Sequence, residues 1–270
     1  MLVVVKKTSM TPEHAHVGAP TAESPTNLDV DISCVFTEHK RKALEMAEGW
    51  KEHGCRVRVG GPAFGDPGGE FTPGKYIKLG AVITHRGCNR SCPWCYVPKR
   101  EGKIRELKVT EGNLLQDNNI LACSKQHKDL VFSMLRKQKQ VSLKGGLDCR
   151  ILTDGDVEDI RSLHLKDLWV AYDSKATWKY TKAGVEKLLK AGVPKYKIRC
   201  YVMIGFNETM GEAAQRLREI YDAGTLPFAQ LYDRYVEPDL LEWKKFARLW
   251  ARPAIYKSIV KADKLLEEKL

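Results

Sequence analysis

From Tyr76 onward the chain alternates short apolar runs with stretches of helical periodicity. This alternation narrows the accessible folds more than any other feature of the sequence. The spacing predicts strands over Leu79–Thr84, Ile120–Cys123, Val141–Leu143, Leu168–Tyr172, Ile198–Ile204 and Ala229–Tyr232. It predicts helices over Gln126–Gln140, Asp156–Leu163, Thr177–Ala191 and Gly211–Ala223, and two more near Leu240–Trp250 and Ala254–Lys269. Six strands alternating with helices over about 190 residues argue for parallel βα units. That length is short for a closed eight-fold barrel of roughly 250 residues, so the expected α/β fold is an open, partial (β/α)6 TIM-like barrel.

Ahead of the barrel, residues 1–28 show no clear pattern, and 18–27 read as a loop with two prolines and several small polar residues. A strand is predicted over Val30–Thr37, a helix over Glu38–His53 with Gly54 to end it, and a strand over Val57–Val59. This is a Rossmann-like βαβ extension with a right-handed crossover. Residues 63–76 are dense in Gly and Pro and read as a linker. The expected organisation is an N-terminal extension and linker over 1–75 and the barrel with its C-terminal helices over 76–270.

Composition narrows the function classes. Hydrophobic residues make up 43% and charged residues 29%, which excludes disorder as the main state. No stretch approaches the roughly 18 apolar residues that span a bilayer, so no membrane is expected. The opening MLVVVKKTSM lacks a signal-peptide core and cleavage site, and a cytoplasmic location is the default. The eight cysteines are then expected as thiols or metal ligands rather than disulfides. The net charge of +11 admits an anionic partner, or simply a basic surface.

Cys88-x3-Cys92-x2-Cys95 carries the chemistry. With eight cysteines in 270 residues, a chance match to that spacing is on the order of 1%. Three thiolates on one short loop can hold a soft metal or a cluster. An iron–sulfur cluster of the ferredoxin type takes four cysteines, so three leave one iron open to a small molecule. The competing arrangement is a zinc knot in which His85 completes a tetrahedral Cys3His site. Its functional counterpart is a zinc-stabilised nucleic-acid-binding protein, suggested by the basic charge. The loop follows the first strand of the βα series, at the carboxyl end where barrel active sites lie, and a structural knot has no need of that position.

This pattern resembles the signature of the radical S-adenosylmethionine enzymes, over roughly residues 76–235. The resemblance implies that Cys88, Cys92 and Cys95 hold a 4Fe–4S cluster and that S-adenosylmethionine chelates the fourth iron. It implies reductive cleavage to a 5′-deoxyadenosyl radical, which abstracts hydrogen from a substrate, and a reducing donor of the flavodoxin or ferredoxin kind. Trp94, the aromatic of the motif, would lie beside the adenine. The Gly-Gly-Glu segment found in many members is absent. Gln116-Asp117-Asn118-Asn119 is instead similar to the segment of cobalamin-related and methylthiotransferase-like branches, where Asp117 or Asn118 would meet the methionine ammonium; a polar turn is the alternative. Arg150 is suited to a carboxylate such as that of S-adenosylmethionine, or to a structural salt bridge. Asp173 would meet the ribose hydroxyls, or cap a helix. Gly205 would allow close backbone approach to the adenine, and Met203 is either core or contact.

Several features leave the reaction subtype open. Cys95-Tyr96-Val97-Pro98 looks like the methylthiotransferases, which makes a methyl- or methylthio-transferase the alternative. Those enzymes carry a second cluster on three upstream cysteines, whereas only Cys34 and Cys55 lie upstream here. The N-terminal unit resembles a truncated cobalamin-binding domain, but its Asp-x-His-x-x-Gly motif is absent. Cys34, Cys55, Cys123 and Cys200 read as packing residues, and Cys149 as packing or a thiyl site. Lys99, Arg100, Lys103 and Arg105 form a basic rim for phosphate or an electron donor, or a solvated flank. Tyr96, Tyr172, Trp178, Tyr232 and Tyr235 are candidates to stack on a planar substrate, and Asp233, Arg234 and Glu237 to contact it. A substrate with anionic character, such as a nucleotide or nucleic acid, is compatible with both the motif and the charge.

Overall fold

The run Leu2-Val3-Val4-Val5 is buried at every position, the pattern of a strand covered on both faces. In the computed structural model, which describes residues 1–232 and 239–267, it forms an inner strand of a parallel sheet. The protein is mixed α/β with parallel sheets, and it divides into two compact units. One comprises Met1–Asn118 and Lys125–Met134, the other Asn119–Ser124 and Leu135–Leu270.

The first unit opens with β1 (Leu2–Val4), β2 (His16–Val17), β3 (Asp29–Ser33), α1 (Lys40–Glu52) and β4 (Arg56–Gly60). The four strands lie parallel in the order β2-β1-β3-β4. The expected βαβ unit is therefore present as β3-α1-β4, but it is part of a larger sheet. A four-residue apolar run carries no period that separates strand from helix, which is why β1 was not expected. β3 stops at Ser33, four residues short of the predicted strand; Cys34 is still buried, but Val35 and Phe36 beyond it are exposed. Their apolar character reflects no burial. Ala43, Met46, Ala47 and Trp50 give α1 its buried stripe, and the Trp50 indole N–H donates to the Gly18 carbonyl at 3.2 Å. Gly54, at φ +87°, ends the helix.

The same unit continues with β5 (Ala81–Val82), β6 (His85–Arg86), α2 (Val97–Glu101), β7 (Arg105–Glu106) and β8 (Leu114–Leu115), after which α3 (Lys125–Arg136) begins. β5 pairs parallel with β8, and β6 pairs antiparallel with β7. The predicted strand over Leu79–Thr84 is thus cut to two residues, and Leu79 is exposed. The hairpin β6–β7 was not expected. The predicted strand over Ile120–Cys123 is instead one 3-10 turn, closed by bonds from the Ala122 N–H to Asn119 O and the Cys123 N–H to Ile120 O. A short apolar run without alternation does not distinguish the two.

The second unit follows the predicted alternation closely: β9 (Val141–Leu147), α4 (Asp154–Arg161), β10 (Leu165–Tyr172), α5 (Trp178–Lys190), β11 (Ile198–Ile204), α6 (Met210–Asp222), β12 (Leu226–Leu231), α7 (Leu240–Trp250) and α8 (Pro253–Glu267). β9 to β12 are parallel, each beside the next. Leu168, Val170, Ile198, Cys200, Val202 and Ile204 are fully buried on one face. Tyr172 shares that face with α5 and α6, its ring 5.2 Å from Trp178 and its hydroxyl donating to Glu219 at 2.7 Å. The other face carries Trp169 stacked on Tyr201 at 4.2 Å, with Phe228 edge-on and Lys144 paired to Asp167. Among the described residues no helix is long and apolar enough to cross a membrane.

Two outcomes follow from this packing. Trp50→Ala removes a fully buried indole and its bond to Gly18. It is expected to destabilise by about 3–5 kcal/mol, read by chemical denaturation. At α6, the Thr209–Glu212 capping box and the Lys175 ion pair (2.8 Å) hold the Glu212 carboxyl down at about 2, the Lys175 bond contributing most. A depressed carboxyl contributes stability above its unfolded value and loses it as pH falls through the folded one. Protection of the first-turn amides of α6, taken relative to intrinsic exchange at the same pH, is therefore expected to fall as pH drops from about 4.5 to 2.

Candidate cysteine-loop site

The segment from Thr84 to Leu107 is a loop clipped shut at its base. His85 pairs with Glu106 and Arg86 with Arg105 across the hairpin. The Leu107 N–H donates to Thr84 O at 2.8 Å and the Cys88 N–H to Gly102 O at 3.1 Å. Gly87, at φ +80°, lies so close to the returning strand that a Cβ there would stand 2.1 Å from the Lys103 carbonyl oxygen. No side chain fits at this position.

Two buried carboxylates hold the base. Asp117, 2% exposed, accepts from the Thr84 N–H at 2.6 Å, the His85 N–H at 3.3 Å and the Thr84 hydroxyl, and its Oδ2 lies 3.1 Å from His85 Nδ1. Glu101, 7% exposed, accepts from the Gly87 N–H at 3.0 Å, the Asn118 side-chain amide at 2.7 Å and the Arg100 guanidinium. Burial pushes Glu101 upward, but the Gly87, Arg100 and Asn118 bonds together outweigh it and hold the carboxyl below its usual range. The two residues expected to serve a ligand ammonium, Asp117 and Asn118, are thus engaged in closing the loop. Glu101 and Gly87 were not singled out from sequence. A glycine directly before the first cysteine was the only available sign of the close backbone approach.

Within the loop, the Cys95 N–H donates to Cys92 O at 3.0 Å, and the Arg90 N–H donates to Cys88 Sγ at 3.4 Å. Cys88, Cys92 and Cys95 are half-buried thiols, and Trp94 between the last two is half-buried as well. None of the eight cysteines forms a disulfide. The set is chemically suited to a soft metal: three sulfurs, one already receiving an N–H bond. Among the described residues, however, no three His, Cys, Asp or Glu side chains are drawn together as a metal-holding group. The proposed fourth zinc ligand, His85, is fully buried beside Asp117. Lys99, Lys103 and Arg105 are exposed on this loop, whereas Arg100 is turned to Glu101.

In the second unit the remaining candidates fall at the carboxyl ends of the strands. Arg150 follows β9 and closes its fork on Asp148, with Nε–Oδ1 at 2.6 Å and Nη2–Oδ2 at 2.9 Å. Its structural alternative is the arrangement present. Asp173 follows β10 directly and is half-buried. Met203 lies in β11, 7% exposed, and Gly205 follows β11 at φ +81°. The Gly205 N–H donates to Glu208 Oε1 at 3.1 Å. Burial raises the Glu208 carboxyl against the pull of Arg216, 3.0 Å away. Arg216 itself was missed, although a charge between Ala213, Leu217 and Ile220 of a buried stripe marks it in the sequence.

Cys149 packs under α5, where a Cβ on Gly184 would meet its Sγ at 2.7 Å, and burial pushes its thiol up to about 12. Burial raises Cys200 and Cys34 too, so these three are poorly placed to form thiolates. Tyr96 is exposed, and Tyr172 and Trp178 pack on each other. Tyr232 packs edge-on against Phe206. Asp233, Arg234, Tyr235 and Glu237 lie outside the described residues. No protein-family model matches the chain, and no curated protein matches it.

Gly87→Ala is expected to destabilise by on the order of 1–3 kcal/mol, because its φ and the Lys103 carbonyl both oppose a side chain. The check is chemical denaturation of the chain. Unchanged stability would show that Gly87 does not set the loop.

Proposed function

We propose that the chain is a radical S-adenosylmethionine enzyme on a partial (β/α)6 barrel, with Cys88, Cys92 and Cys95 as ligands of a 4Fe–4S cluster. The observation that carries this reading is the segregation of the cysteines. The three with motif spacing share one clipped loop and are half-buried, while the other five are buried. When bound, such a cluster supplies the electron that cleaves S-adenosylmethionine to methionine and a 5′-deoxyadenosyl radical, which takes a hydrogen atom from the substrate.

The chain's own residues bind, orient and shield. Gly87, Asp117 and Glu101 hold the base of the loop that carries the three thiols. The Arg90 N–H stabilises negative charge on the Cys88 sulfur. In the second unit Asp173 is the candidate for the ribose hydroxyls, and Gly205, with Met203, for the adenine. Arg150, oriented by its two bonds to Asp148, is the candidate for the ligand carboxylate. The exposed Lys99, Lys103 and Arg105 and the +11 charge favour an anionic substrate, of the nucleotide or nucleic-acid class, or an acidic flavodoxin- or ferredoxin-like donor. An oxygen-sensitive cluster suits a reducing, cytoplasmic compartment.

Anaerobic reconstitution is expected to load about four irons per chain and to give a brown protein absorbing at about 400 nm. Dithionite with S-adenosylmethionine is expected to release 5′-deoxyadenosine, and Cys92→Ala to abolish both. Stoichiometric zinc without 5′-deoxyadenosine overturns the reading. Stimulation of that release by nucleic acid, lost at raised salt, tests the substrate class.

A further inference from the structure

We infer that Arg216 is a positioning residue for the adenosyl ligand, fixing the carboxyl ends of β10 and β11 at the two places where that ligand's ribose and adenine are held. The inference rests on the radical S-adenosylmethionine reading and adds a residue that the motif does not contain. Arg216 is 4% exposed. One guanidinium nitrogen donates to Glu208 Oε2 at 3.0 Å. Another donates to two backbone carbonyls, Tyr172 O at 2.9 Å and Met203 O at 2.7 Å. The guanidinium carbon also lies 4.9 Å from the centre of the Tyr172 ring.

A single side chain from α6 therefore ties together the end of β10, the end of β11 and the turn that follows it. Tyr172 immediately precedes Asp173, and Met203 stands two residues before Gly205. Glu208 completes the circuit, since its second oxygen accepts the Gly205 N–H at 3.1 Å. The turn needs holding: Gly205 is at φ +81° and Asn207 at φ +51°. Stability alone does not explain a charge in this stripe, because a buried ion pair is generally no more stabilising than apolar residues of the same volume. What the pair adds is geometry. A planar fork fixes two carbonyls and a carboxylate at once, which neither an aliphatic side chain nor a lysine reproduces.

The test uses the full-length, reconstituted chain. Arg216→Met combined with Glu208→Gln removes both buried charges and keeps an acceptor for the Gly205 N–H. S-adenosylmethionine affinity is measured by anaerobic equilibrium dialysis, with melting temperature and amide exchange of the 172–174 and 203–208 segments measured alongside. The expected result is a folded variant whose affinity falls about tenfold or more, with faster exchange in those two segments. A folded variant with wild-type affinity overturns the inference. If the double variant does not fold, Arg216→Lys, which keeps the charge but not the fork, decides by the same comparison. A wild-type chain that takes up no S-adenosylmethionine overturns the parent reading, and this inference falls with it. Loss in the variant alone separates the two.

Discussion

The carboxylate of Asp117 is the fixed point on which the cysteine loop depends. A buried carboxylate is costly unless its lone pairs are filled. Here two backbone N–H groups, a hydroxyl and an imidazole surround it. The effect is to pin Thr84 and His85, the entry and first residue of β6, to the segment just after β8. Once they are pinned, the β6–β7 hairpin can close, Gly87 meets Lys103, and Glu101 finds the Gly87 N–H. The loop that carries the thiols is thus held at its base by polar contacts between buried groups, while its tip remains accessible.

The second unit solves a related problem with the opposite charge. A guanidinium has five donors and no acceptor, so it can gather carbonyl oxygens that no other side chain would satisfy together. Arg216 uses that capacity at the ends of β10 and β11, where the ladder gives way to loops. Asp117 and Arg216 both act at strand ends, whereas the buried Asp167 carboxylate lies within β10 and pairs with Lys144. Elsewhere the middle of the sheet can be left to aliphatic packing, as Val170, Ile198, Cys200 and Val202 illustrate with side chains fully removed from solvent.

Much of this was readable in the residues. Ile198–Ile204 and Leu240–Trp250 fall where periodicity put them, because each is long enough to show a period and is bounded by turn residues. Short runs failed: Leu2–Val4 was not expected as a strand, and Ile120–Cys123 forms a turn, since three or four apolar residues fit either conformation. The cysteine spacing singled out its loop, but the partners of the site residues were hidden. Asp117 and Arg150 each had a structural alternative, and local sequence determines the proximity of neither partner: the Thr84 N–H and hydroxyl, 33 residues away, for Asp117, and the Asp148 side chain, two residues away, for Arg150. Glu101 and Arg216 escaped notice because long-range backbone contacts define their roles.

The neighbour relations of β9, β10, β11 and β12 have a consequence for how the chain comes to be folded. Each strand lies beside the one made just before it. A ribosome delivering this sequence would present every new strand to an edge already waiting for it, so the unit can be laid down rung by rung without storing an unpaired strand. The N-terminal sheet has no such order. β3 must join β1 on the side away from β2, so the oldest strand keeps an open edge until residue 33 has emerged. Of the two sheets, the first is the one exposed to mispairing early in synthesis.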